Sequence, residues 1–240
     1  MNTNYYTLIN RALKLFKLRE KASASVDDKN DCFGNSFITI AREPGSGGAP
    51  IAKAVADKLG FELVDEQIIE KVAKSVRKRK EIIKQIDEKA RTGIEDVIHS
   101  ILNKDYVDEV KYTKELFRVI LAYACKGNVV ILGRCGNFVT PFARGLHVRI
   151  TAPYKVRLQR AIDFEGLNEA QAKKIIGKVE KERKDFVKQY LKHNISKANS
   201  YDLTLNTTYF QVNEARDVII EALYKKFPSK LKYGSLKPKT

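Results

Sequence analysis

No stretch of the 240 residues stays apolar long enough to cross a bilayer. Cysteine is scarce. Cys32, Cys125 and Cys135 are scattered without a CxxC pair, which excludes a disulfide framework or a zinc site and suits a reducing cytoplasm. The three histidines stand far apart and suggest no metal cluster. Acid is also in short supply, with 29 Asp and Glu against 45 Lys and Arg, and none after Glu221. The resulting net charge of +16 attracts polyanions (nucleotides, nucleic acid or anionic lipid) without choosing among them. The basic residues gather in "KSVRKRKEIIK", between Arg149 and Lys192, and in the tail, where solvated helix faces account for most of them. No aromatic-basic motif favours nucleic acid. The rest of the composition, 43% apolar and 31% charged, is that of a soluble domain long enough to bury a core.

Residues 1–36 form an extension. Tyr5, Leu8, Ile9, Ala12, Leu15 and Phe16 fall at helical spacing with Arg11, Lys14, Lys17 and Arg19 between them, a basic amphipathic helix within residues 4–20. It is too charged for a secretory signal. It suits docking on its own domain, contact with an anionic membrane surface, or targeting. "KASASVDDKNDCFGNS" then reads as a linker.

From Phe37 onward, short apolar strands alternate with helices. "FITIA", "FELV", "VVILG", "LHVRIT" and "DLTLN" are predicted strands. Helices are expected over 50–59, 66–91 with a break, 95–103, 112–126, 154–165, 169–192 and 213–226. Gly60, Gly127 and Gly166 mark helix ends, and Asn168 with Gln171 forms a capping box. This alternation implies a parallel sheet covered on both faces, with ligands at the carboxyl ends of its strands.

The first strand runs into "REPGSGGAPIAKA", a glycine-rich turn followed by a helix. Such a turn can aim backbone N–H groups and the positive end of the helix at an anion. Gly45, Gly47 and Gly48 supply the flexibility, and Pro50 fits the first helical turn. A plain strand-to-helix connection is the alternative. A phosphate loop normally carries Gly-Lys-Ser or Gly-Lys-Thr, whereas Gly48, Ala49 and Pro50 stand here. Another cation must then do the lysine's work, and Arg42 at the strand end is placed for it, with Lys53 a weaker choice. Arg42 could equally pair with Glu43 or another acid. Arg183 falls inside the apolar stripe of the 169–192 helix, where a charge needs an anionic partner, either a ligand or a structural acid.

"ITIAREPGSGGAPIA" resembles the opening of the cytidylate kinase-like family, a branch of the nucleoside monophosphate kinases. "GFELVDEQIIEKVA", "GNVVILGRCGNFV", "LHVRITAPYKVRLQRAIDFEGLNEAQA", "VEKERKDFV" and "YDLTLNT" follow in the family's order. The resemblance implies a three-layer α/β P-loop kinase-like fold with a five-stranded parallel sheet over 37–227. A helical acceptor-binding region would span 66–126 and a lid 163–197, with a basic tail at 228–240.

It also implies a cytoplasmic phosphotransferase moving a phosphoryl group from ATP, with Mg²⁺, to a (deoxy)cytidylate-like acceptor. Gly45, Ser46, Gly47 and Gly48 would hold the donor phosphates, with Gly48 where the catalytic lysine would be and Pro50 where a magnesium-holding hydroxyl would be. Arg42, Arg157, Arg160 and Arg183 would serve as catalytic cations. Arg134 and Asp65 would place the acceptor, although Asp65 also suits a helix N-cap. Cys135 stands where ordinary cytidylate kinases have Asp. It has no His or Asp partner in its motif and is not read as a nucleophile. The missing lysine leaves a second reading open: a catalytically silent nucleotide- or polyanion-binding protein on the same fold.

Overall fold

The computed structural model describes residues 34–86, 91–92, 94–95, 97–98, 109–141 and 143–228. The amphipathic N-terminal helix, most of the 95–103 helix and the basic tail lie outside these residues. Five strands, β1 (Phe37–Arg42), β2 (Glu62–Val64), β3 (Val129–Leu132), β4 (Leu146–Thr151) and β5 (Leu203–Asn206), form one sheet in the order β2-β3-β1-β4-β5. Every pairing is parallel, with Ile38 opposite both Val130 and Leu146. Between the strands run α1 (Gly48–Leu59), α2 (Glu66–Lys74), α3 (Val76–Lys84), α4 (Glu109–Lys126), α5 (Gly136–Val139), α6 (Tyr154–Glu165) and α7 (Glu169–Leu191), and α8 (Val212–Lys226) follows β5. The expected strand–helix alternation is thus realised as an α/β three-layer fold.

Continuous apolar strands are what a sheet buried on both faces requires. Phe37, Val64, Val129 and Ile131 pack on one face with α2, α3 and α4. The alternate residues Ile38, Ile40, Val130, Leu132, Val148 and Ile150 pack on the other with α1 and α8. Central residues such as Ile38 and Ile131 are fully buried, so truncating either to Ala costs about 2–5 kcal/mol.

Local signals set the helix boundaries. Asp65 Oδ1 accepts from the Ile68 amide at 2.9 Å and starts α2. Ser75 caps α3 and is the expected break in 66–91. The Asn168–Gln171 capping box forms, and Gly60 and Gly166 follow the last residues of α1 and α6. The short α5 carried no sequence signal, because Arg134 and Cys135 before it adopt positive φ, which non-glycine residues rarely do.

Of the described cysteines, Cys135 is a free thiol and Cys125 is disulfide-bonded, which departs from the expectation of a chain without disulfides. Among the described residues, no helix is long and apolar enough to cross a membrane.

Candidate functional site

All five strands end at one edge of the sheet, where the order reverses around β1, and this edge carries the glycine-rich turn. The turn is tied from below. Glu43 N–H donates to the Ile150 carbonyl (3.1 Å), while Ser46 N–H and Oγ both donate to the Glu43 carbonyl (3.2 and 2.7 Å). The Glu43 carboxylate accepts from Arg149 (2.8 Å) and Thr151 Oγ1 (2.6 Å). Thr207 Oγ1, just past β5, donates to the Ser46 carbonyl at 2.8 Å. Gly45 and Gly47 take φ of 74° and 79°, the left-handed region that favours glycine. The turn's carbonyls are thereby held inward, and the amides of Gly45, Gly47, Gly48 and Ala49 have no acceptor among the described residues. Four free N–H groups at the start of a helix make an anion nest.

Arg42 leaves the end of β1 and turns across this nest. A Cβ placed on Gly48 would lie 2.8 Å from Arg42 Cγ and closer still to its Cβ, while one on Gly133 would collide with the Arg42 guanidinium. Arg42 therefore occupies the room a side chain at position 48 would need, and the glycines at 48 and 133 make that room. Its Nη2 donates to Glu66 Oε2 at 3.0 Å, and its side chain is only 12% exposed. The pairing acid is thus Glu66, at the start of α2, while the neighbouring Glu43 pairs with Arg149.

Arg183 descends from α7 and donates to the Arg42 carbonyl at 2.9 Å, with Glu66 4.0 Å away. Burial, then the Arg42 charge, pull its pKa down to about 10. Burial works to raise the Glu66 pKa, but Arg42, with Arg134 and Arg183, overrides it and holds the carboxyl below its usual range. Three guanidiniums thus surround one carboxylate. Arg134, from the end of β3, pairs with Glu70, and its buried Nε has no partner among the described residues.

Two cavities flank this cluster, and Arg42 and Arg183 line both. The larger, of about 580 Å³, contains the nest together with Arg160 and Thr207. Arg160 donates to Thr207 Oγ1 (3.0 Å) and its carbonyl (2.7 Å) and faces Gly47. The smaller, of about 300 Å³, is bounded by Glu66, Arg134, Cys135, Asn137 and Phe186 among others.

Arg157 lines neither cavity. It is buried behind the loop, donating to the carbonyls of Ala152 (2.9 Å) and Pro44 (3.2 Å) and pairing with Glu180 of α7 at 2.7 Å. Asp65 caps α2 beside the smaller cavity without lining it. Lys53 pairs with Asp57 on the exposed face of α1 and lines neither cavity. Burial pushes the Cys135 thiol up to about 12, which leaves it unreactive.

Sequence reasoning missed Glu66, Thr207 and Glu180. Each is an ordinary polar residue whose importance comes from packing across 23 to 161 positions of chain.

Residues 37–209 match the cytidylate kinase-like family. The chain belongs to that family. The cytidylate kinase of Sulfolobus acidocaldarius is 25% identical over 190 residues, covering 79% of this chain and 94% of its own length. The cytidylate kinase of Ignicoccus hospitalis is 25% identical over 174 residues, 72% and 90% of the two chains. A solved structure of an uncharacterised protein from Eubacterium ventriosum aligns with a TM-score of 0.62 at 23% identity, over 80% of this chain and 99% of that one, and shares the fold. Within the cytidylate kinase-like family, the strand-end nest and its flanking cavities support a nucleotide kinase-like function.

Proposed function

We propose that this cytidylate kinase-like chain transfers the γ-phosphoryl group of ATP to a (deoxy)cytidylate-like monophosphate. The observation that carries the reading is Arg42, whose methylenes fill the room where a loop lysine's side chain would start and which lines the cavities on both sides. The donor's β- and γ-phosphates lie on the amides of Gly45, Gly47, Gly48 and Ala49, with Ser46 bracing the turn and Arg160 over it. The acceptor phosphate meets the part-exposed guanidinium of Arg134 at the smaller cavity, and Asp65 holds the start of α2 alongside. An acceptor phosphate oxygen attacks the γ-phosphorus. The bond from that phosphorus to the β,γ-bridging oxygen breaks, its electron pair leaves with ADP, and charge on the moving group falls between Arg42 and Arg183. Such transfer asks mainly for positioning and charge neutralisation. Arg157, buried behind the loop, is assigned a positioning role.

The loop gives magnesium no side-chain ligand, since Ser46 Oγ is buried on the Glu43 carbonyl and Pro50 has no hydroxyl. Among the described residues, no group of three or more His, Cys, Asp or Glu side chains gathers. These residues fit an ion carried on the nucleotide's own phosphates and water, with Glu66 as the nearby carboxylate. There it would add charge neutralisation.

A coupled ADP-release assay with ATP, Mg²⁺ and a panel of nucleoside monophosphates tests the reading. Acceptor-dependent turnover should fall by about a hundredfold or more in both Arg42→Ala and Arg183→Ala, as loss of a transition-state charge partner does. ATP binding without turnover on any acceptor would instead establish the silent binder.

A further inference from the structure

Phe164 is 84% exposed, yet it lines the larger cavity, as do the partly exposed Phe210 and Val212. Single exposed apolar side chains are ordinary, but aromatics from α6 and from the β5–α8 loop facing the cavity that holds the nest are not explained by the fold. Their placement follows that of the phosphate-side groups. Phe164 comes four residues after Arg160 on α6, so it shares that helix face about 6 Å further along the axis. Phe210 comes three residues after Thr207, the Arg160 partner. Each element thus presents a polar group at the nest and an aromatic ring one step beyond it.

We propose that Phe164 and Phe210 form the stacking platform for the donor's base, and that the platform selects purine over pyrimidine donors. This rests on the reading that the larger cavity holds the donor nucleotide. A flat ring system gains from stacking on aromatic faces, and purines offer more area than pyrimidines.

The test is calorimetric titration of the full chain with ATP, GTP, CTP and inorganic tripolyphosphate. Phe164→Ala and Phe210→Ala should each weaken ATP and GTP about tenfold, the scale of one lost base stack, and leave tripolyphosphate unchanged. Phe164→Trp should keep the affinity. Tyr209→Ala should change nothing, because Tyr209 is 93% exposed and lies outside the cavity. Wild-type protein should bind ATP and GTP more tightly than CTP, as stacking on the larger purine face predicts. Unchanged ATP affinity in both Ala variants, with tripolyphosphate still bound, overturns the platform and leaves the phosphate site standing. A wild-type chain that binds neither ATP nor tripolyphosphate overturns both.

Discussion

At residue scale, the site turns on a steric exchange between positions 42 and 48. The missing lysine was legible in "GSGGAP", and so was Arg42 as the nearest cation at a strand end. What the sequence could not show is that the two alternatives exclude each other, because the Arg42 methylenes lie where a Cβ at 48 would go. Gly48→Lys should therefore cost more than it restores: the new side chain displaces Arg42, and acceptor-dependent turnover should fall by about a hundredfold, as when a preorganised charge is misplaced. The double variant Gly48→Lys with Arg42→Gly removes the clash and should regain at least about tenfold over the single one. Single-turnover rates with ATP would measure this. A double variant no better than the single shows that Arg42 does more than stand in for a lysine. The Glu66 counter-charge was illegible for a different reason, since nothing local distinguishes it from Glu70 of the same helix.

At the scale of elements, helix ends were the most readable features, because capping chemistry is local. Asp65 shows the limit: its cap on α2 was foreseeable, whereas its relation to the acceptor depends on how α2 meets β3. Asp65→Ala should lower stability by about 1 kcal/mol, and Asp65→Asn should restore most of it, since either side chain can cap. Urea unfolding would measure that, and the acceptor KM in the Asn variant isolates any contact needing the charge.

The β4–β5 region holds a feature the sequence did not announce, His147, fully buried and hydrogen-bonded to Thr39 Oγ1 at 2.7 Å. Burial, then the Lys226 charge, press its pKa from 6.5 down to about 3. The folded value lies below the unfolded one, so the unfolded chain takes up the proton first. The contribution is whole above pH 6.5 and is lost as pH falls toward about 3. Urea midpoints of wild type should drop more steeply over that window than those of His147→Gln, and parallel profiles would refute this.

At the scale of the whole molecule, the net charge of +16 is not spread evenly in its consequences. Arg42 from β1, Arg134 from β3, Arg160 from α6 and Arg183 from α7 are brought to one sheet edge, where Arg42 and Arg183 face Glu66 and Arg134 pairs with Glu70. Folding assembles this repulsion and the unfolded chain does not, so the empty site is a stored cost that an anion relieves. A ligand that binds only the folded state stabilises it by about 2.7 kcal/mol at a hundred times its Kd. For a chain of this size that raises Tm by about 5–10 °C, at roughly 2–4 °C per kcal/mol. ATP and tripolyphosphate should both produce such a shift, and it should shrink as salt screens the cluster. Arg183→Ala should keep or slightly raise the Tm of the free protein, because it removes a partly buried charge pressed by its neighbours, yet it should lose much of the ligand-induced rise. A lower free Tm with an undiminished ligand shift would mean that Arg183 holds α7 in place and does not meet the phosphates. The same scan at matched ionic strength with sodium chloride separates a specific anion from general screening. Only a rise exceeding the salt control reports the convergence of these arginines on one ligand.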